Sequence, residues 1–251
     1  MSNNNSDHLD IIFGNKNFSD LTTWAIAKTK NNGWHENSYK HFLRDATRED
    51  FLKTQIPFYH AVKVFPRALA KLAYCIEDST TRLPVIENLW EEHGKGDISK
   101  FHLNTFQQFL YSLNWNGEHA TCPGVENWVN NLLSFQISAS EYAAYLSGIE
   151  FAYAMISHDI ANKLVTLELN GPQVHYDLHA ALDWEHGGDL LKLAFILMDT
   201  QDHLDIDRVK ESFSQGQEDF LNLYSQMLIP YFDSFEQIMQ QVVESRNRQN
   251  L

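Results

Sequence analysis

The stretch HYDLHAALDWEH, residues 175 to 186, carries polar side chains at a helical spacing. His175, His179, Asp183 and His186 are separated by four, four and three residues, which puts all of them on one face of an α-helix. Most of the residues between them are apolar, so we expect the polar stripe to face inward. Buried nitrogen and oxygen donors of this kind indicate a metal site, and hydrogen-bonded structural histidines are the alternative.

The composition describes a chain with enough apolar residues for one large core. Of its 251 residues 43% are hydrophobic, so we expect a single helical domain over residues 17–251. We expect the Asn-rich start of the chain, residues 1–16, to be flexible. The formal net charge of -14 argues against a nucleic acid or an anionic membrane as partner. Two cysteines, Cys75 and Cys122, show no metal-ligand spacing and no disulfide framework, which fits a reducing compartment.

The N-terminal sequence and the apolar runs bear on location. MSNNNSDHLD contains neither the basic nor the apolar segment of a secretory signal. No apolar run approaches the roughly 20 residues that would span a bilayer. We therefore expect a cytoplasmic protein. We also expect it to act on a small-molecule substrate, and the sequence leaves open whether two chains form a homodimer.

Apolar residues recur at a helical period through most of the chain, and no alternating strand pattern is present. The sequence predicts an all-α fold, a bundle of about seven or eight helices. Pro57 and Pro66 are expected to kink or divide the helix that contains them. The predicted helical segments are about 20–29, 34–42, 47–78, 80–93, 97–116, 125–134, 138–169, 173–200, 206–213 and 218–244.

Few carboxylates are available to complete a metal site once solvated faces are set aside. Glu92 ends one predicted helix and His102 lies near the start of the next, with a glycine-rich turn between them. Glu150 lies in a long apolar helix, where an uncompensated charge would be costly, and Glu141 is a weaker substitute for it. Together with His179, Asp183 and His186 this gives three carboxylates and three imidazoles, enough for two iron ions. The candidate ligands are Glu92, His102, Glu150, His179, Asp183 and His186.

The same residues resemble those of a known family, the haem-oxygenase-like diiron oxidases, with a TENA/PqqC-like fold. The resemblance rests on ENLWEEHGKGD at residues 87–97, on His102, on Glu150, and on a histidine, an aspartate and a histidine spaced four and three residues apart. It implies two Fe(II) ions on the six candidate ligands and dioxygen as co-substrate. It also implies an oxidase that acts on an amino acid or a fatty acid by C–C cleavage, desaturation or N-oxygenation.

Two further stretches resemble CADD-like proteins, a branch of this superfamily. They are FYHAVKVFPRALAKLAYCIED at residues 58–78 and LYSQMLIPYFDSF at residues 223–235. This resemblance implies an alternative function, a self-sacrificing p-aminobenzoate synthase in which Tyr39 matches a consumed tyrosine. Ile149 stands where these proteins have a second tyrosine, which favours an oxidase acting on a free small molecule. We expect Tyr39 and His175 to lie around the metal ligands without binding metal.

A basic row of residues gives a hypothesis for substrate binding. Lys63, Arg67 and Lys71 are spaced four residues apart, and Lys63 and Arg67 are our candidates for holding a substrate carboxylate. A solvated helix face is the ordinary interpretation of such a row. Two rival functions remain: a metal-independent TENA/PqqC-like enzyme, and a protein-interaction module without need of iron.

Overall fold

The computed structural model describes residues 16–115, 117–169 and 174–229. The expected flexible segment, apart from Lys16, and the end of the last predicted helix lie outside these ranges. Within them the chain forms α-helices and no strand, which confirms the all-α prediction. None of these helices is long and apolar enough to cross a membrane. The nine helices of the described ranges are α1 (Lys16–Lys30), α2 (Ser38–Asp45), α3 (Arg48–Cys75), α4 (Leu83–Glu92), α5 (His102–Ser112), α6 (Pro123–Ser134), α7 (Ala139–Thr166), α8 (Val174–Thr200) and α9 (Ile206–Gln226).

Helix α7 forms the centre of the bundle. Every residue from Ala139 to Ala154 is buried, as its nearly continuous apolar sequence predicts for a helix that is covered on all sides. Its main neighbours are α8 and α9. Buried apolar side chains from all nine helices join it in one hydrophobic cluster. The boundaries of a single domain stay a prediction.

Two glycines allow α7 and α9 to touch backbone to backbone. A Cβ atom on Gly148 would lie 2.1 Å from the carbonyl oxygen of Phe213, and one on Gly216 would lie 2.0 Å from the carbonyl oxygen of Tyr145. The sequence prediction of a break between residues 213 and 218 was wrong, because α9 continues through this stretch. Burial against α7 stabilises Gly216 in a helical conformation that it favours only weakly by itself.

Helix α3 contains both prolines and is not divided by them. It runs unbroken from Arg48 to Cys75, with Pro57 and Pro66 inside it. Of the two expected outcomes the division is therefore excluded, and a kink stays a prediction. The side chain of Thr47 accepts a hydrogen bond from the backbone of Asp50, as the predicted start signal requires. Each proline costs a backbone hydrogen bond, and we attribute the continuity of the helix to its long buried face.

Candidate metal centre

Six polar side chains from four helices come together inside the bundle. Each is almost completely buried, with no more than 8% of its surface exposed. Helix α4 contributes its last residue, α5 its first, α7 one residue from its buried middle, and α8 three. The six are the candidate ligands of the sequence analysis: Glu92, His102, Glu150, His179, Asp183 and His186.

The connection between α4 and α5 brings Glu92 to His102. Two short 3-10 turns, Gly94–Gly96 and Ile98–Lys100, link the two helices. Gly94 has a φ of 56°, and a Cβ there would lie 2.7 Å from the carbonyl carbon of Lys100, so the close approach requires glycine. Oε1 of Glu92 lies 3.0 Å from Nδ1 of His102.

Close packing of α8 on α7 brings Glu150 to the polar face of α8. Ligand atoms of Glu150, Asp183 and His186 all lie within 4.8 Å of one another. The hydroxyl of Ser147 donates a hydrogen bond of 2.6 Å to the carbonyl oxygen of Gly187. A Cβ on Gly187 would lie 3.3 Å from Cβ of Glu150, so a glycine at this position keeps the two helices close. This explains a glycine in the interior of α8.

The imidazole of His179 is oriented by its own helix. Its Nδ1 lies 2.9 Å from Oδ1 of Asp183, one helical turn further on. Its Nε2 is buried without a hydrogen-bond partner among the described residues. A buried, unpartnered ring nitrogen is costly in a protein interior unless it binds something. The observation fits a histidine whose Nε2 holds a metal ion and whose Nδ1 is fixed by a carboxylate.

No lysine or arginine of the described residues balances the three carboxylates of the centre. In the described part of the chain no lysine or arginine nitrogen lies within 4.0 Å of Glu92, Glu150 or Asp183, and histidine partners contact two of them. Three buried carboxylates without a lysine or arginine are an unfavourable arrangement. A bound metal cation would remove this cost.

Burial shifts the carboxylate pKa values of the centre away from the ionised form that binds metal, and it shifts the pKa of His179 towards the neutral imidazole that does bind metal. Burial and the charges of Asp183 and Glu92 raise the pKa of Glu150 well above its usual range. Burial and the Glu92 charge also raise the pKa of Asp183, and burial with the His102 charge lowers the pKa of His179 to about 3. A cation would favour the ionised carboxylates and thereby lower their pKa values.

Glu92 and His102 form a different kind of pair. Burial by itself would raise the pKa of Glu92, but the charge and hydrogen bond of His102 outweigh it and lower that pKa. Burial would lower the pKa of His102, and Glu92 reverses this effect and raises it. The two side chains therefore favour an ion pair in the absence of metal.

Two residues of α4 that the sequence analysis did not assign also reach the centre. Oε2 of Glu91 accepts a hydrogen bond of 2.8 Å from Nε2 of His186. The side-chain amide of Asn88 lies 3.4 Å from Oε1 of Glu150, at the limit of a hydrogen bond. Both residues lie in the ENLWEE motif, and Asn88 precedes Glu91 by three residues and Glu92 by four, which was the available signal.

His175 lies beside the ligand set in a hydrogen-bonded row. Its Nδ1 lies 3.1 Å from the hydroxyl of Thr105, and its Nε2 lies 3.2 Å from the hydroxyl of Tyr153. Its ring centroid is 4.5 Å from that of His179. Both ring nitrogens are thus engaged, and the role of His175 in supporting the ligands stays a prediction. Tyr153 was missed, although it follows Glu150 by three residues on the same helix face.

Tyr39 is buried in a separate hydrogen-bonded group. Its hydroxyl lies 2.7 Å from Oγ1 of Thr54 and accepts a hydrogen bond from the amide of Gln55. The carbonyl oxygen of Gln55 accepts a hydrogen bond from Tyr176 on α8. None of these partners is a candidate ligand, and the role of Tyr39 around the metal ligands stays a prediction.

A narrow cavity leads to the candidate ligands from the side of α3. It leaves about 30 Å³ for the centres of water-sized molecules, room for about two waters. Lys63 and Arg67 are exposed on α3 and are not part of its lining, and Lys71 donates hydrogen bonds to backbone carbonyls of residues 133 and 135. A role for Lys63 and Arg67 in substrate binding stays a prediction. The cavity is lined by Phe58, Ala61, Val62, Phe65, Trp128, Ile149, Tyr153 and Phe220 above Glu92, His102, Glu150 and His179.

Glu141, the substitute considered for Glu150, has a structural partner instead. Its carboxylate accepts hydrogen bonds from the backbone and hydroxyl of Ser138, which closes a capping box at the start of α7. It also accepts a hydrogen bond of 3.0 Å from Nε of Arg208 on α9. These contacts account for a buried carboxylate at this position without a metal ion.

A comparison with models of protein families identifies the family of this chain. A model of a family described as iron-containing redox enzymes matches residues 53–217, a range that includes all six candidate ligands. The chain belongs to this iron-containing redox enzyme family. Membership supports an oxidoreductase and the haem-oxygenase-like bundle. No curated protein matches the chain, and closeness to CADD-like proteins stays a prediction.

Proposed function

We propose that this iron-containing redox enzyme holds two Fe(II) ions on the six buried side chains and uses dioxygen to oxidise a small, carboxylate-bearing molecule. The observation that carries the proposal is a centre with three carboxylates and three imidazoles that no lysine or arginine of the described residues neutralises. Mixed carboxylate and imidazole ligands suit iron, and membership of the family is consistent with that metal.

The arrangement suggests how the residues would divide between two ions. Glu92 and His102 lie together at one side, and His179, Asp183 and His186 follow one face of α8 at the other. Glu150 lies within 4.8 Å of Asp183 and His186 and also lines the cavity with Glu92. We therefore assign Glu150 as the ligand that either ion can use.

The residues around the ions would control what reaches them. Two Fe(II) ions in this position would supply the electrons that reduce dioxygen. The aromatic and aliphatic lining of the cavity excludes bulk water and accepts the apolar part of a substrate. Tyr153 and His175 hold a proton between the tyrosine hydroxyl and Nε2 of the imidazole, next to His179.

The substrate class rests on the same cavity. Its apolar lining suits the side chain of an amino acid or the tail of a fatty acid, and C–C cleavage, desaturation and N-oxygenation are the reactions we consider. The carboxylate of such a substrate would stay near the surface, where Lys63 and Arg67 of α3 are exposed. The cavity would have to widen for entry, since it has room for only about two water molecules.

Anaerobic reconstitution tests the proposal directly. We expect purified protein mixed with Fe(II) under argon and then desalted to retain close to two irons per chain, and we expect oxygen to produce a transient absorbance. Asp183→Ala should lose this transient, because it removes a ligand, whereas Asp177→Ala, an exposed position on the same helix, should keep it. Wild-type protein that retains only trace iron, or an Asp183→Ala protein with an unchanged transient, would contradict the proposal.

A further inference from the structure

A second pocket lies between α4 and α8, and His186 is part of its lining. Its volume is about 170 Å³, and both helices contribute acidic side chains to it. Glu87 and Glu91 follow one face of α4, and Glu185 and Asp189 follow one face of α8, each pair four residues apart. We call these four residues and the space between them the acidic pocket.

The acidic pocket has more negative than positive charge. Lys95 forms an ion pair of 2.6 Å with Glu91, and Lys192 lies near Asp189. Four carboxylates therefore face two lysines. Burial, together with the charges of Glu185 and Glu87, raises the pKa of Asp189, although Lys192 opposes the shift. Such a concentration of negative charge attracts cations from solution.

Asn88 connects the acidic pocket to the candidate metal centre. It lines the pocket and is 94% buried, since its exposed fraction is 6%. Its side-chain nitrogen reaches towards Oε1 of Glu150, and its side-chain oxygen has no hydrogen-bond partner among the described residues. Amide oxygens are good ligands for hard divalent cations, so an unpartnered one beside four carboxylates points to such an ion.

His186 forms the second connection. Its imidazole lines the acidic pocket, contacts Glu91, and belongs to the group with Glu150 and Asp183. Glu91 is held at one oxygen by Lys95 and at the other by His186. An ion that took the place of Lys95 on Glu91 would be separated from the candidate metal centre by one side chain, the imidazole of His186.

The cavity on the α3 side offers a cation no comparable route. Its outer walls are aromatic and aliphatic, and the charged side chains of its lining are those of the candidate ligands. A hydrated ion would lose its water against these walls without compensation. The two openings therefore differ in chemistry, one suited to an apolar substrate and the other to a divalent cation.

We propose that the acidic pocket between α4 and α8 is where a hydrated divalent metal ion first binds, and that the ion passes from it to the buried centre past Asn88, Glu91 and His186. This inference rests on the proposed function, because it requires a metal centre behind His186. It assigns Glu87, Glu185 and Asp189 a role in metal capture, which neither the family nor the ligand set gives them.

Metal uptake kinetics test the proposal without any substrate. Mn²⁺ alone is mixed with the full chain in a stopped-flow instrument, and a fluorescent chelator reports the free ion. The test variant carries Glu87→Gln, Glu185→Gln and Asp189→Asn. The matched control carries Glu77→Gln, Glu118→Gln and Glu211→Gln, three exposed carboxylates outside the pocket. We expect the test variant to take up Mn²⁺ about tenfold more slowly at low salt, with a weaker salt dependence than the control.

Equilibrium measurements separate the outcomes. We expect both variants to retain the wild-type amount of Mn²⁺ after long incubation and desalting, and to unfold at the wild-type temperature. Uptake at the control rate would overturn the capture role and leave the proposed centre intact. A lower final Mn²⁺ content in a folded test variant would also overturn it, because the three residues would then be ligands. A wild-type chain that binds no Mn²⁺ or Fe(II) would overturn both proposals. The single variants Glu87→Gln, Glu185→Gln and Asp189→Asn give the same test if the triple variant does not fold.

Discussion

Nε2 of His186 donates a hydrogen bond of 2.8 Å to Oε2 of Glu91. The adjacent residue, Glu92, lies 3.0 Å from His102 instead. Two consecutive carboxylates at the end of α4 thus contact histidines from two different helices. Because an ionised carboxylate can only accept, this contact fixes the proton of His186 on Nε2 and leaves Nδ1 as the nitrogen that could bind metal.

Glu91→Ala should weaken iron binding without removing a ligand. We expect the dissociation constant for Fe(II) to rise about 10- to 100-fold, since the imidazole of His186 loses the partner that orients it. Two irons per chain should still bind at saturating Fe(II), measured by anaerobic titration. Glu92→Ala should instead lower the number of irons bound, and the exposed control Glu77→Ala should change neither quantity. Equal affinities in Glu91→Ala and wild-type protein would exclude this supporting role.

Gly187→Ala should destabilise the protein and disturb the centre. The new Cβ would lie 2.7 Å from Cδ2 of Phe151, whose ring packs against Trp184 and Phe213, so α8 must move away from α7. We expect a loss of about 1–3 kcal/mol in the free energy of unfolding, measured with urea, and a lower iron content.

Gly188→Ala is the matched control for this substitution. A Cβ there would meet nothing within 4 Å, and alanine favours a helix interior over glycine by about 1 kcal/mol. We therefore expect slightly higher stability and normal iron content. The interpretation of Gly187 is wrong if the two variants behave alike.

Glu141→Gln should reveal a pH-dependent contribution to stability and no effect on metal. Burial would raise the pKa of Glu141, but its hydrogen bonds to Ser138 and its contact with Arg208 lower it. A carboxylate whose pKa is lower in the folded chain stabilises it above the unfolded value of about 4.3, and the contribution disappears as the pH falls through the folded value.

We therefore expect the variant to be less stable than wild type at pH 7, by less than about 1 kcal/mol because Arg208 is largely exposed. The difference should shrink as the pH falls from the unfolded value through the lower folded one, as measured by urea unfolding at pH 7 and at a series of acidic pH values. Iron content should stay normal, whereas Glu150→Gln should lose iron. Loss of iron in Glu141→Gln would make Glu141 the better ligand of α7.

Lys63→Gln combined with Arg67→Gln should separate substrate binding from the chemical step. If these exposed cations hold a substrate carboxylate, KM rises several-fold while kcat and iron content stay unchanged. Lys30→Gln combined with Lys100→Gln removes two exposed cations elsewhere and should leave KM unchanged. An unchanged KM in the first double variant would show that α3 presents an ordinary solvated face.

The spacing of residues along single helices was enough to predict much of this protein. The period of apolar residues gave the all-α class, and the spacing of His179, Asp183 and His186 placed them on one helix face because both signals depend on 3.6 residues per turn. The positions of Glu92, His102 and Glu150 on the predicted helices, together with the resemblance to haem-oxygenase-like diiron oxidases, added these three residues, and the structure buries all three beside that face.

The tertiary structure decided what depends on contacts between distant segments. In the folded chain Glu91 contacts His186, and Glu92 contacts His102. Glu141 is bound by Ser138 and Arg208. Two predicted helical segments form the single helix α9, in which Gly216 packs against α7. It also brought carboxylates of α4 and α8 together in the acidic pocket. Local sequence patterns fix which face of a helix a residue occupies, but the packing of helices far apart in the chain fixes what that face meets.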